Sequence, residues 1–223
     1  GGTTAKACLI PDGEPARTSV FEVARIARFR PGSGLPLLLP TIDMIEIGAG
    51  GGSIARVDPL GRITVGPDSA GSMPGPACYG RGGTLPTVTD ADLVLDWIDP
   101  ARFAGGQITL APAQAVAACE RAVATPLGMS PQQAALGITE IVTETMASAA
   151  RVHAVENGKD TAGRTMIAFG GAAPLHAARM AQKLGMDRVL IPVGAGVGSA
   201  YGFLGAPIAY EVVRTRLVSL ADF

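Results

Sequence analysis

The sequence predicts an α/β fold, and three observations predict it. The last third alternates short apolar runs with helical stretches across glycine-bearing loops, the middle carries two helical patterns with clear start signals, and the first third reads as short strands parted by turn residues. At 223 residues, 48% of them hydrophobic and 17% charged, the chain can bury a sizeable core in one domain, or in one domain with an insertion.

The elements follow in chain order. Ala7-Cys8-Leu9-Ile10 is apolar, Pro11-Asp12-Gly13-Glu14 has turn chemistry, and the extended stretch behind it completes a β-hairpin. Residues 21–29 mix apolar side chains with Arg and suit either a strand or a helix; residues 31–34 and 36–40 are an irregular connection. Met44–Ile47 is a short strand, broken by the glycines of residues 49–53, and residues 54–57 and 62–65 are two more about a Pro59-Leu60-Gly61 turn. Residues 66–83 are dense in Gly and Pro and lack periodicity, which marks a functional or mobile loop within an irregular, inserted region at 66–110. Thr89 reads as a helix cap, with Asp92 as its capping-box acid.

A helical segment covers 111–158. Pro112 opens a helix with Ala115, Val116, Cys119 and Val123 on one face. Ser130 caps a second, with Pro131 first and Gln133 third, an apolar stripe from Ala134 to Val152, and an end near Asn157-Gly158. Its many alanines suit close packing against another helix. Residues 165–169 are then a buried strand, Pro174 begins a helix that ends at Gly185, residues 188–191 are the next strand, and Ser199 starts a short helix after a second glycine loop at 194–198.

Composition narrows the function. A net charge of −1 gives no footprint for nucleic acid or acidic lipid. No apolar run reaches the roughly 18 residues of a membrane span, and the start lacks a signal-peptide pattern. Cys8, Cys78 and Cys119 are far apart and odd in number, as in a cytoplasmic protein with reduced thiols. The chain opens on a Gly-Gly-Thr-Thr turn with no strand ahead of it, which reads as an entry partway through a motif.

Several stretches could carry chemistry. Gly1, Gly2, Thr3, Thr4 and Lys6 can offer close backbone amides, hydroxyl donors and a positive charge to a phosphate; the same residues also make an ordinary hairpin turn. Gly170-Gly171-Ala172-Ala173-Pro174 joins a strand to a helix, so its free amides and the helix dipole face out of a sheet edge where ligands bind, or it serves close strand–helix packing. It matches neither G-x-G-x-x-G nor the Walker pattern. His176, in the first turn of that helix, should be neutral there and suits a structural or a catalytic role; His153 suits a packed or interfacial one. Glu46 stands between apolar neighbours on a strand beside the glycines, as a buried general base or as a cap of loop amides. Cys78 suits loop anchoring or nucleophilic attack, and Asp90 and Asp92 suit helix capping or water-mediated Mg²⁺ binding.

Taken in order, residues 1–6, 45–55, the 66–83 loop with its Pro-Gly-Pro-Ala-Cys-Tyr-Gly core, Thr87-Val88-Thr89-Asp90-Ala91, residues 170–177 and residues 194–200 resemble the hydantoinase A/oxoprolinase family across nearly the whole chain. The resemblance implies one hydantoinase A-type domain over 1–223, half of an actin/hexokinase-like (ribonuclease H-like) ATPase in which two domains close on ATP. It implies that residues 1–4 are the second phosphate-binding turn, that residues 170–174 are the adenosine motif, and that Ala173 stands where many relatives have Gly. The implied cofactors are ATP and Mg²⁺, and the implied partner is a hydantoinase B-type subunit or domain. The implied activity is ATP-dependent opening of a cyclic amide such as hydantoin or 5-oxoproline, with ketone carboxylation or a non-catalytic module as alternatives. Residues 1–223 alone are then expected to bind nucleotide weakly and not to turn over, with the first phosphate turn elsewhere.

Overall fold

The structure, a computed structural model, describes residues 1–23, 32–208, 210, 212, 214, 218 and 219. The first third is one long antiparallel ribbon. Strand β1 (Ala5–Cys8) leads to β2 (Arg17–Thr18) and β3 (Phe21–Val23), and the returning chain supplies β4 (Leu35–Leu37), β5 (Thr41–Ile42) and β6 (Met44–Ile47). The pairs are β3 with β4, β2 with β5 and β1 with β6. The hairpin expected around Pro11 is therefore absent. Residues 9–16 instead loop out of one strand of the ribbon, closed by Ala16 N–H donating to the Leu9 carbonyl (3.2 Å), with Asp12 at a φ of 52°. The turn chemistry was read correctly, but the pairing partner lies more than thirty residues away. Of the ambiguous 21–29 stretch, Phe21–Val23 is strand and the rest falls outside the described residues.

A second hairpin follows, β7 (Ser53–Val57) with β8 (Ile63–Ser69). The Asp58 carboxylate accepts from the Leu60 and Arg62 amides and fixes the turn between them. β8 runs four residues into the stretch expected to be structureless. Helix α1 (Val88–Val94) starts at Thr87, not at Thr89. Helix α2 (Pro112–Cys119) continues through a π-helical turn at Glu120–Ala124 into α3 (Thr125–Leu127).

Helix α4 (Pro131–Glu156) organises the core. Its capping box is the expected one, Ser130 with Gln133, and it ends at Asn157. It packs against β1, β6 and β8 on one side and against α1, α2 and helix α5 (Ala173–Lys183) on others. Because it is enclosed on several sides, its buried set is broader than a single stripe and takes in Ala135, Thr139, Thr143, Met146 and His153. Alanines and Gly137, whose missing Cβ would stand 2.8 Å from Ile63 Cδ1, let its neighbours approach closely.

The last unit is βαβ. β9 (Thr165–Ile167) and β10 (Arg188–Leu190) pair in parallel, with α5 as the crossover. Across the α4–α5 seam Arg179 grips both oxygens of Glu140, and Lys183 reaches Glu140 and Glu144. Helix α6 (Gly198–Gly205) follows, with Tyr201, Phe203 and Leu204 exposed. Among the described residues, no helix is long and apolar enough to cross a membrane.

Candidate functional site

The turn at residues 1–4 rests on a floor of main chain. Gly51 N–H donates to the Gly1 carbonyl (3.1 Å) and Gly52 N–H to the Gly2 carbonyl (2.6 Å). A Cβ on Gly50 would stand 2.5 Å from the Gly1 oxygen, and one on Gly52 would stand 2.9 Å from the Gly2 oxygen. The triple glycine is therefore a packing device: it lets one turn lie directly on another. The loop is held from below by Thr89, whose N–H and hydroxyl both donate to the Gly51 carbonyl (2.8 and 2.9 Å). Above it, Gly1, Gly2 and Thr3 are exposed and Thr4 is half-buried.

Lys6 and Glu46 are directly opposite each other across β1 and β6, and their charged ends meet at 2.7 Å. This corrects the expectation of a buried Glu46. Ile45 and Ile47 take the core side of β6, so alternation turns Glu46 outward, where it is 43% exposed and pairs with Lys6 instead of capping loop amides. A cleft of about 360 Å³ opens on this side of the ribbon, lined among others by Thr4, Asp43, Glu46 and Gly48.

The 170–174 loop lies at the carboxyl end of β9. Gly170, at a φ of 105°, donates to the Ala195 carbonyl (2.7 Å), so it lies beside the second glycine loop, which leaves the carboxyl end of β10. Among the described residues, no atom comes within 4 Å of a Cβ built on Gly170 or Gly171, so the main chain there is open to approach. Ala172 is the N-cap of α5 and provides no side-chain cap. Ala173 is already helical, so its methyl is accommodated without strain.

His176 faces inward, 6% exposed, with Nε2 3.4 Å from Asp92 Oδ2 and Nδ1 3.5 Å from the Thr143 hydroxyl. The Trp97 ring stands edge-on to it, centroids 6.2 Å apart. That enclosure favours the structural role over the catalytic one.

Of the two aspartates read as helix caps or Mg²⁺ ligands, Asp90 caps α1 and Asp92 does not. The capping box is Thr87 with Asp90, and the Asp90 carboxylate also accepts from Ala77 N–H (3.1 Å) and Cys78 N–H (2.7 Å). It thereby ties the Gly-Pro loop to the start of α1. Both of its oxygens are engaged, and Asp92 is 1% exposed and enclosed against His176, so neither carboxylate is open to a solvated cation. Among the described residues, no group of three or more His, Cys, Asp or Glu could hold a metal ion. Burial pushes the Cys78 thiol up and the Cys119 thiol up to about 12, which removes both as nucleophiles at neutral pH.

Two features were missed in the sequence. The floor under residues 1–4 was signalled by the run of three glycines directly after a strand. The Asp92–His176 contact had no local signal, since the partners are far apart in the chain.

The hydantoinase/oxoprolinase family model matches residues 1–212. Caprolactamase subunit alpha from Pseudomonas jessenii is 39% identical over 222 residues, 100% of this chain and 31% of that protein. Acetone carboxylase beta subunit from Xanthobacter autotrophicus is 33% identical over 221 residues, 99% of this chain and 30% of that protein. The crystal structure of the ATP-dependent caprolactamase from P. jessenii superposes with a TM-score of 0.77 at 39% identity, over 91% of this chain and 28% of the other. The chain spans about a third of the length of the curated relatives it matches. Sequence and fold agree along its length, and this chain belongs to the hydantoinase/oxoprolinase family.

Proposed function

We propose that this chain is the nucleotide-gripping part of a larger subunit that opens a cyclic amide of the hydantoin or 5-oxoproline type at the expense of ATP. The observation that carries this is the open main chain at Gly170 and Gly171, set at the ends of two parallel strands and at the start of α5. A ligand there meets amides and the positive end of a helix dipole. In this reading the fold is one half of an actin/hexokinase-like clamp, and the 170–174 loop takes the adenosine side. The exposed turn of Gly1, Gly2, Thr3 and Thr4 takes phosphate through amides and hydroxyls. Lys6, two residues past that turn and paired with Glu46, supplies positive charge.

Bound ATP supplies a phosphoryl group that converts the amide oxygen into a leaving group and so activates the ring carbon. The chain's own residues position and neutralise: the two loops fix the nucleotide, and Glu46 is the carboxylate that we assign to protons at the cleft. Mg²⁺ is expected with the nucleotide, but Asp90 and Asp92 do not fit it. The relatives are named as subunits, which supports a partner subunit here, and we take that partner to be of hydantoinase B type.

The test uses the full-length subunit with its partner. ATP-dependent ring opening of hydantoin, 5-oxoproline or a related lactam is expected; ATP-dependent consumption of acetone and bicarbonate would replace this reading with the carboxylase, which the acetone carboxylase relative favours. Gly171→Ala adds a methyl where no atom of the described residues lies within 4 Å, so Tm should hold while ATP affinity falls at least about tenfold. Undiminished ATP binding in both Gly171→Ala and the Thr3→Val/Thr4→Val double variant would overturn the nucleotide assignment.

A further inference from the structure

The two loops assigned to the nucleotide are joined through one short helix. At its start, Thr89 makes two bonds to the Gly51 carbonyl, and Gly51 and Gly52 carry the carbonyls of Gly1 and Gly2. Three residues on, one helical turn, Asp92 meets His176 in the first turns of α5, just behind the 170–174 loop. α1 is stiff for its length, because its capping box is complete and Asp90 ties it to the neighbouring loop as well. α5 begins without a side-chain cap, and in its first turns His176 and Ala177 are buried, His176 supplying the polar contact to the core.

That contact is a costly one. Asp92 is 1% exposed, and its Oδ1 is buried with no hydrogen-bond partner among the described residues. An apolar side chain would fill the same space without an orphaned oxygen. Around the imidazole, Thr143 from α4 offers its hydroxyl to Nδ1 and the Trp97 edge closes the remaining side. With Nε2–H donating to Asp92, Nδ1 is left to accept from Thr143, so the ring is fixed in one orientation.

We propose that Asp92 is a positioning residue which, through His176, sets the 170–174 loop at a fixed spacing from the turn of residues 1–4, with α1 as the strut between them. This rests on the nucleotide reading above. Its effect is on ATP affinity, not on proton transfer, because Asp92 is 1% exposed and buried against His176.

The experiment measures ATP Kd, KM for ATP and kcat in the full-length subunit for Asp92→Ala, Asp92→Asn, His176→Ala and the Asp92→Ala/His176→Ala pair. Asp92→Ala should raise Kd and KM for ATP about tenfold and leave kcat at saturating ATP within about twofold. Asp92→Asn keeps an acceptor oxygen for Nε2–H and should restore Kd to within about twofold of the natural protein. The double variant should bind ATP no more weakly than His176→Ala alone, since one residue acts through the other. Additive losses in the double variant, or an unchanged Kd in Asp92→Ala, would overturn the strut while Gly171→Ala still weakens binding. If Asp92→Ala fails to fold, the comparison of Asp92→Asn with His176→Ala decides: rescue in the first and loss in the second supports the proposal, and equal loss in both refutes it. Absence of ATP binding in the natural subunit would remove the nucleotide reading and the strut together.

Discussion

Asp90 and Asp92 sit two residues apart on one short helix and solve burial in opposite ways. Asp90 is fully buried, but its oxygens accept from three backbone amides and the Thr87 hydroxyl. Asp90→Ala would strand those donors inside the protein, and a loss of about 3 kcal/mol or more is expected, read as a lowered denaturation midpoint. Among the described residues the Asp92 carboxylate has His176 as partner and one idle oxygen, and its carboxyl is held above the usual carboxylate range by burial, with His176 drawing it partway back. A raised folded-state value means that the native protein binds the proton more tightly than the unfolded chain does. The stability that this gives is present below the ordinary value of 3.8 and is lost as pH rises through the folded value. Asp92→Asn escapes that loss, so it should melt higher than the natural protein at pH 7, with the gap closing as pH falls toward 4. A gap that widens in acid would contradict this. The sequence reading sets the capping box at Thr89 with Asp92, whereas the structure forms it two residues earlier, at Thr87 with Asp90. Local pattern could not choose between them. The choice fell to the Ala77 and Cys78 amides, which arrive from a different part of the chain.

Elements were legible wherever their signals were local. The capping box of α4, its Asn-Gly end, the β9–α5–β10 alternation and the outward turn of every second residue on β6 can all be read from neighbouring residues. Applying that last alternation strictly would have put Glu46 on the surface. Pairing partners were not legible: β1 answers to β6 across the whole ribbon, and residues 9–16 bulge out of a strand they were expected to end. At the same scale, the stacked turns make a sharp prediction. Gly50→Ala must displace backbone, because the added carbon would lie 2.5 Å from the Gly1 oxygen and 2.9 Å from Gly2 and Thr3 backbone atoms. Both stability and ATP affinity should fall in this variant, whereas Gly171→Ala should lose affinity alone. Calorimetric melting beside ATP titration separates the two, and equal melting behaviour would refute the packing role of Gly50.

Across the whole molecule, the α/β class followed from composition and periodicity, and the family followed from the order of several modest motifs. What joins those motifs in space did not follow, because the joints are made by residues tens of positions apart: Thr89 with Gly51, His176 with Asp92, Gly170 with Ala195. The Asp90 carboxylate shows what such a joint does to the long Gly-Pro loop. Ala77 and Cys78 hang from it on one side and Thr87 on the other, while Arg81 between them is exposed. A trypsin cut after Arg81 would sever the polypeptide yet release neither end. The nicked protein would keep its shape in native buffer and come apart as two pieces only in denaturant, as though that stretch of chain were a clasp.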